Sequence, residues 1–118
     1  MSNAKARFYA KGRLPQGEMN RTEQEYAQRL RLLQHAGEIL WWKFEPIKFR
    51  LAAATFYTPD FLVMTGDGFL ECHEVKGFWT DDARVKIKVA ATTYPMFAFL
   101  AVRKQAKKRG GGWEIETF

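Results

Sequence analysis

An α/β fold, a mixed sheet flanked by helices, is what this sequence predicts, and three observations predict it. Tyr26, Ala27, Leu30 and Leu33 recur at helical spacing and mark an amphipathic helix with one buried face. Runs rich in aromatic and β-branched residues follow, and Thr65-Gly66-Asp67-Gly68 between two of them is a hairpin signal. Thr80-Asp81-Asp82 then opens a second helix ahead of further apolar strands. The expected order is α-β-β-β-α-β-β.

Residues 1–20 carry Lys5, Arg7, Lys11 and Arg13 among glycines and a proline, without periodicity, and read as a flexible basic arm. Residues 21–118 form the single expected domain. Its first helix takes Asn20 or Thr22 as N-cap, runs to about His35 and stops at Gly37. Residues 39–51 are one strand broken at Pro46 or two short ones, because proline cannot donate to a central ladder. Strands from Phe56 to Met64 and from Phe69 to Lys76 come next. The second helix starts after Thr80 and ends before Tyr94-Pro95. Met96 to Val102 is a buried strand, Arg103 to Arg109 a basic hairpin tip, and Trp113 to Phe118 the last strand.

Hydrophobic residues make up 47% of the 118, which argues against disorder and suffices for one core without disulfides. No apolar run is long enough to cross a membrane, and the basic N-terminus lacks the apolar segment of a secretory signal. Cys72 stands alone and fits a reducing cytoplasm. The formal charge of +6 favours a polyanion such as DNA, since neutralising phosphates releases counterions.

The chemistry concentrates in Pro59-Asp60 and Glu74-Val75-Lys76. If Gly66, Asp67 and Gly68 form a three-residue loop, Asp60 lies opposite Glu74 and both project from one face. Lys76, two residues on, shares that face. A two-residue loop would send the acids to opposite faces. Like charges this close suit a bound Mg²⁺ or Mn²⁺, with Asp60, Glu74 and the Val75 carbonyl as ligands and Lys76 beside the attacking water. Glu23, at the end of the buried stripe of the first helix, is the third candidate acid: a cap, or part of the site. Glu25 is rotated by about 200° and should face solvent. The bland alternative is an ordinary Glu74–Lys76 ion pair.

The string Y-T-P-D-F-L-V followed by E-V-K-G-F-W-T-D-D-A-R, with Glu23 on a preceding helix, resembles the PD-(D/E)XK nuclease superfamily. Within it, the string is most similar to the phage endonuclease I group of Holliday junction resolvases, over roughly residues 20 to 102. The resemblance implies a restriction-endonuclease-like core, Mg²⁺-dependent cleavage of branched DNA, and a homodimer working in the host cytoplasm. It casts Asp60 and Glu74 as metal ligands, Lys76 as the catalytic lysine and Glu23 as the helix acid. An end-trimming or nicking nuclease, or a catalytically silent DNA-binding module, remains the alternative.

Arg84 and Lys88 share a stripe of the second helix and either meet phosphates or form a solvated face. Arg103, Lys104, Lys107, Lys108 and Arg109 are read as non-specific DNA contacts. His73 points away from Glu74 by strand alternation and is expected to be structural, and Cys72 to be core.

Overall fold

The computed structural model describes residues 17–118. The basic arm at Lys5, Arg7, Lys11 and Arg13 lies outside the described residues. Residues 17–20, expected to belong to that arm, are tied to the domain. The Gly17 N–H donates to Glu45 Oε1 at 3.0 Å, and Met19 packs on the core.

Helix α1 (Arg21–His35) begins with a capping box. Asn20 Oδ1 accepts from the Glu23 N–H at 2.8 Å, and Glu23 Oε1 accepts from the Asn20 N–H at 2.9 Å. Gly37 ends the helix in the left-handed region at φ +80°, where a Cβ would be strained. Five strands follow: β1 (Ile39–Phe44), β2 (Phe49–Ala52), β3 (Thr55–Tyr57), β4 (Phe61–Thr65) and β5 (Leu70–Lys76). Helix α2 (Asp81–Thr93), capped by Thr80, leads to β6 (Ala98–Lys104), a 3₁₀ turn (Lys107–Arg109) and β7 (Trp113–Thr117).

The class is the expected one, but the expected α-β-β-β-α-β-β order undercounts the strands between the helices. Pro46 separates β1 from β2, and the run from Phe56 to Met64 breaks at Thr58-Pro59-Asp60. β2 and β3 pair only with each other as a separate antiparallel hairpin. The main sheet has the order β1-β4-β5-β6-β7, with β5 and β6 parallel and the other neighbours antiparallel. The expected basic hairpin tip is also shorter than read, since β6 extends through Arg103 and Lys104.

Both faces of the sheet are covered. Tyr26, Ala27 and Leu30 of α1 pack on Phe61, Val63, Val75 and Val102. On the other face, Ile87 and Ala90 of α2 and Phe49 and Tyr57 of the hairpin pack on Leu62, Cys72 and Phe99. Alternation along β4 and β5 therefore feeds two cores, which makes β5 a central strand buried on both sides.

Candidate active site

The loop between β4 and β5 decides whether the acids meet. Thr65 N–H donates to the Phe69 carbonyl at 2.8 Å, and Gly68 takes φ +87°, so Gly66-Asp67-Gly68 is a three-residue loop. The ladder runs Met64↔Leu70 to Phe61↔His73, and one step further sets Asp60 opposite Glu74. Both carboxyls thus sit at the end of the central strands on one face, with Lys76 beyond them.

The proline before Asp60 has a structural consequence that spacing alone did not reveal. The Val75 N–H would continue the ladder but instead donates to Asp60 Oδ2 at 2.8 Å. The C=O of a strand residue points the same way as its N–H, so the Val75 carbonyl also faces the end of β4. The residue across from it is Pro59, which has no N–H to offer. Among the described residues that carbonyl has no donor, and it lies beside the two acids. Asp60 is held from behind as well, because its carbonyl accepts from the Glu45 N–H at 2.8 Å. Glu45 itself occupies the left-handed region at φ 48°, a strained conformation next to the site.

Glu74 is buried, and its carboxylate has two partners. Tyr57 Oη donates to Oε1 at 2.8 Å, and Lys76 Nζ lies 3.2 Å from Oε2. Burial pushes the Glu74 pKa up, against the opposing pull of Lys76 and Tyr57. Asp60 is raised well above the usual carboxyl range, first by burial and then by the Glu74 charge, with Glu23 adding to both charge and hydrogen bonding. Burial and Glu74 likewise push the Tyr57 phenol upward, so it stays a donor. Tyr57 belonged to the string that carries the resemblance but had no chemical role assigned to it. Its only signal was its place just before Thr58-Pro59-Asp60.

Glu23 caps α1, as one of its two readings had it, and its carboxyl also lies beside Asp60. Among the described residues, no group of three or more His, Cys, Asp and Glu side chains has the spacing of a ready metal cage. The donor set is instead two strained carboxylates and one free carbonyl. It suits a hard cation whose shell is completed by water or phosphate oxygens, which is how Mg²⁺ is ordinarily held.

A profile of the family described as "Protein of unknown function (DUF1064)" matches residues 18–110. The chain belongs to this family. No curated protein and no solved structure matches it. The DUF1064 segment takes in Glu23, Asp60, Glu74 and Lys76 and ends before β7.

The basic residues of this DUF1064 chain divide into held and open ones. Arg84 donates to both carboxylate oxygens of Glu116, at 3.2 and 2.6 Å, and Lys104 pairs with Glu25. Glu25 is turned away from the buried stripe, as expected, and pairs at the surface, where Lys104 and Arg21 hold its carboxyl below the usual range. Arg103 and Lys104 point to opposite faces, Arg103 being the register partner of Lys76. Lys88, Arg103, Lys107, Lys108 and Arg109 are exposed and have no ion-pair partner among the described residues.

His73 lies on the α1 face, away from Glu74. Its Nδ1 meets Tyr26 Oη at 2.7 Å and its Nε2 meets Glu71 Oε1 at 2.9 Å, a buried polar chain that locks α1 to β5. Cys72 is core, and burial raises its thiol to about 12.

Proposed function

We propose that this protein is a metal-dependent DNA endonuclease that hydrolyses phosphodiester bonds in branched or structured DNA. One observation carries the reading: the three-residue loop sets Asp60 against Glu74, with the Val75 carbonyl and Lys76 on the same strand end. Asp60, Glu74 and the Val75 carbonyl would hold Mg²⁺ or Mn²⁺, with Glu23 reaching it through Asp60 or a water. When bound, the ion would neutralise phosphate charge and make a water acidic enough to attack at neutral pH.

The chain's own groups do the rest. Lys76, anchored by Glu74 at 3.2 Å, offers its remaining N–H bonds to the phosphate oxygen on which charge develops. Tyr57 fixes the Glu74 carboxylate through Oε1 and leaves Oε2 toward Lys76 and the open end of the sheet. Hydrolysis joins the water oxygen to phosphorus as one ester P–O bond breaks, and the departing oxygen takes up a proton.

Lys88, Arg103, Lys107, Lys108 and Arg109 supply positive surface for the DNA backbone. Each chain carries one such site, so paired cuts across a junction require a homodimer. The buried free thiol of Cys72 suits a reducing cytoplasm. No helix among the described residues is long and apolar enough to cross a membrane.

A second reading, a DNA-binding module of the same fold without catalysis, draws on the lack of a three-acid cage among the described residues. Incubation with plasmid, linear duplex and four-way junction, with and without Mg²⁺, separates the readings. Metal-dependent cleavage is expected, lost in Asp60→Asn and in Lys76→Ala while DNA binding persists. Undiminished cleavage by both variants would refute the assignment, and metal-independent binding without cleavage would establish the silent module.

A further inference from the structure

Beside Lys76, on the same face of the sheet, lies a cleft of roughly 170 Å³. Trp79 and Arg84 line it from the start of α2, Arg103 from β6, and Glu114 and Glu116 from β7. Ala101 forms its floor: it is the register partner of both Glu74 and Glu116, so a methyl group separates the catalytic acid from the far carboxylate. A larger residue there would fill the space. The cleft therefore continues the candidate active site rather than standing apart from it.

At its centre lies the Arg84–Glu116 pair. The Arg84 guanidinium lies over the Trp79 ring, 5.0 Å from its centroid, and 5.4 Å from the Phe118 centroid, two cation–π contacts that hold it at the wall of the cleft. The guanidinium donors meet Glu116 in a fork, at 2.6 and 3.2 Å. A guanidinium presents the same fork to a carboxylate and to a phosphate, so one can occupy the place of the other. The Glu116 side chain is 45% exposed and the Arg84 side chain 32%, so the pair lies open to an incoming strand. Glu116 belongs to β7 and lies beyond residues 18–110, the segment that the family profile matches.

We propose that Arg84, Trp79 and Arg103 form a second phosphate subsite, for the nucleotide next to the scissile one, and that Glu116 is its resident occupant until DNA displaces it. This rests on the DNA-binding part of the function proposed above. Glu116 then acts as a gate. A single free phosphate or stray anion must compete with a tethered carboxylate, whereas a DNA strand also engages Lys76 and the surrounding basic surface. The Trp79 ring, already in cation–π contact with Arg84, gives the adjoining sugar or base an apolar wall.

The test is binding of a fluorescein-labelled DNA duplex to the full chain in EDTA, followed by anisotropy, so that cleavage plays no part. Glu116→Gln is expected to bind about three- to five-fold tighter, the upper part of the range of a solvent-exposed ion pair. Asp82→Asn removes an equal charge from the first turn of α2, where no ion pair is broken, and is expected to change affinity less than about two-fold. In an Arg84→Gln background, which removes both the charge and the fork, Glu116→Gln is expected to change affinity no more than Asp82→Asn does. Arg84→Met repeats that arm should the glutamine variant fail to melt cooperatively.

Equal tightening by Glu116→Gln and Asp82→Asn would show general charge repulsion and overturn the gate. So would a Glu116→Gln effect that survives loss of the fork. Wild-type protein that binds no DNA would refute the functional reading itself, whereas DNA binding with a silent Glu116→Gln refutes only the gate.

Discussion

Replacing Asp60 by asparagine should make the metal-free protein more stable while abolishing its chemistry. Cβ atoms of residues directly opposite on one face lie ~5 Å apart, and two charges at that separation repel by about 3 kcal/mol at an effective dielectric constant of ~20. Asparagine is isosteric, so its carbonyl oxygen can still accept from the Val75 N–H that now reaches Asp60 at 2.8 Å. Exchanging a charge-assisted bond for a neutral one gives back about 1 kcal/mol. Where both acids are ionised, the net gain is about 2 kcal/mol, or roughly 6–10 °C in melting temperature. Because Asp60 and Glu74 are both raised in the folded chain, that chain holds protons at pH values where the unfolded chain has released them. The wild type therefore loses stability as pH climbs from the ordinary carboxyl range through the folded values. Thermal melts in EDTA across that range should show the two proteins converging in acid and separating in mild alkali, with Asp60→Asn the more stable. Millimolar Mg²⁺ should raise the wild-type melting temperature and leave the variant unmoved. A variant that melts lower than wild type in alkali, or that gains equally from Mg²⁺, would refute the strained acid pair.

Tyr57→Phe removes the 2.8 Å donor from buried Glu74 and should destabilise the fold by about 1.5–3 kcal/mol, measured by urea unfolding. The cost should shrink as pH falls and Glu74 takes up a proton. Ala54 turns the β2–β3 hairpin at φ 54°, so Ala54→Gly should stabilise by up to about 1 kcal/mol in the same assay. Cys72, buried and raised to about 12, should resist a thiol-selective disulfide reagent in the native protein and react on unfolding in urea.

Much of this was legible in the chain, for reasons particular residues make plain. Asn20 and Glu23 announce a capping box at their spacing, and α1 begins there. The tripeptide Gly66-Asp67-Gly68 permits an odd loop, and with it the pairing of Asp60 and Glu74. Two things were not legible. The break at Thr58-Pro59-Asp60 hides inside a continuous strand-like run, because β propensity reports a half-buried pleat and not which sheet a strand joins. The engagement of Arg84 by Glu116 joins residues 32 positions apart, which no local pattern encodes.

The amino-acid order alone marked local matters: where helices start and stop, which residues alternate, and that Glu74 and Lys76 share one strand face, while Asp60 joined them only through the three-residue loop that the structure shows. These follow from short-range sterics and hydrogen bonding, which act between near neighbours. Only the packed sheet decided the environment of those groups: the burial that raises Asp60 and Glu74, the Tyr57 hydroxyl on Glu74, the carbonyl freed by Pro59, and the carboxylate lodged on Arg84. Desolvation and charge coupling depend on what fills the space around a group, and that space is set by segments distant along the chain.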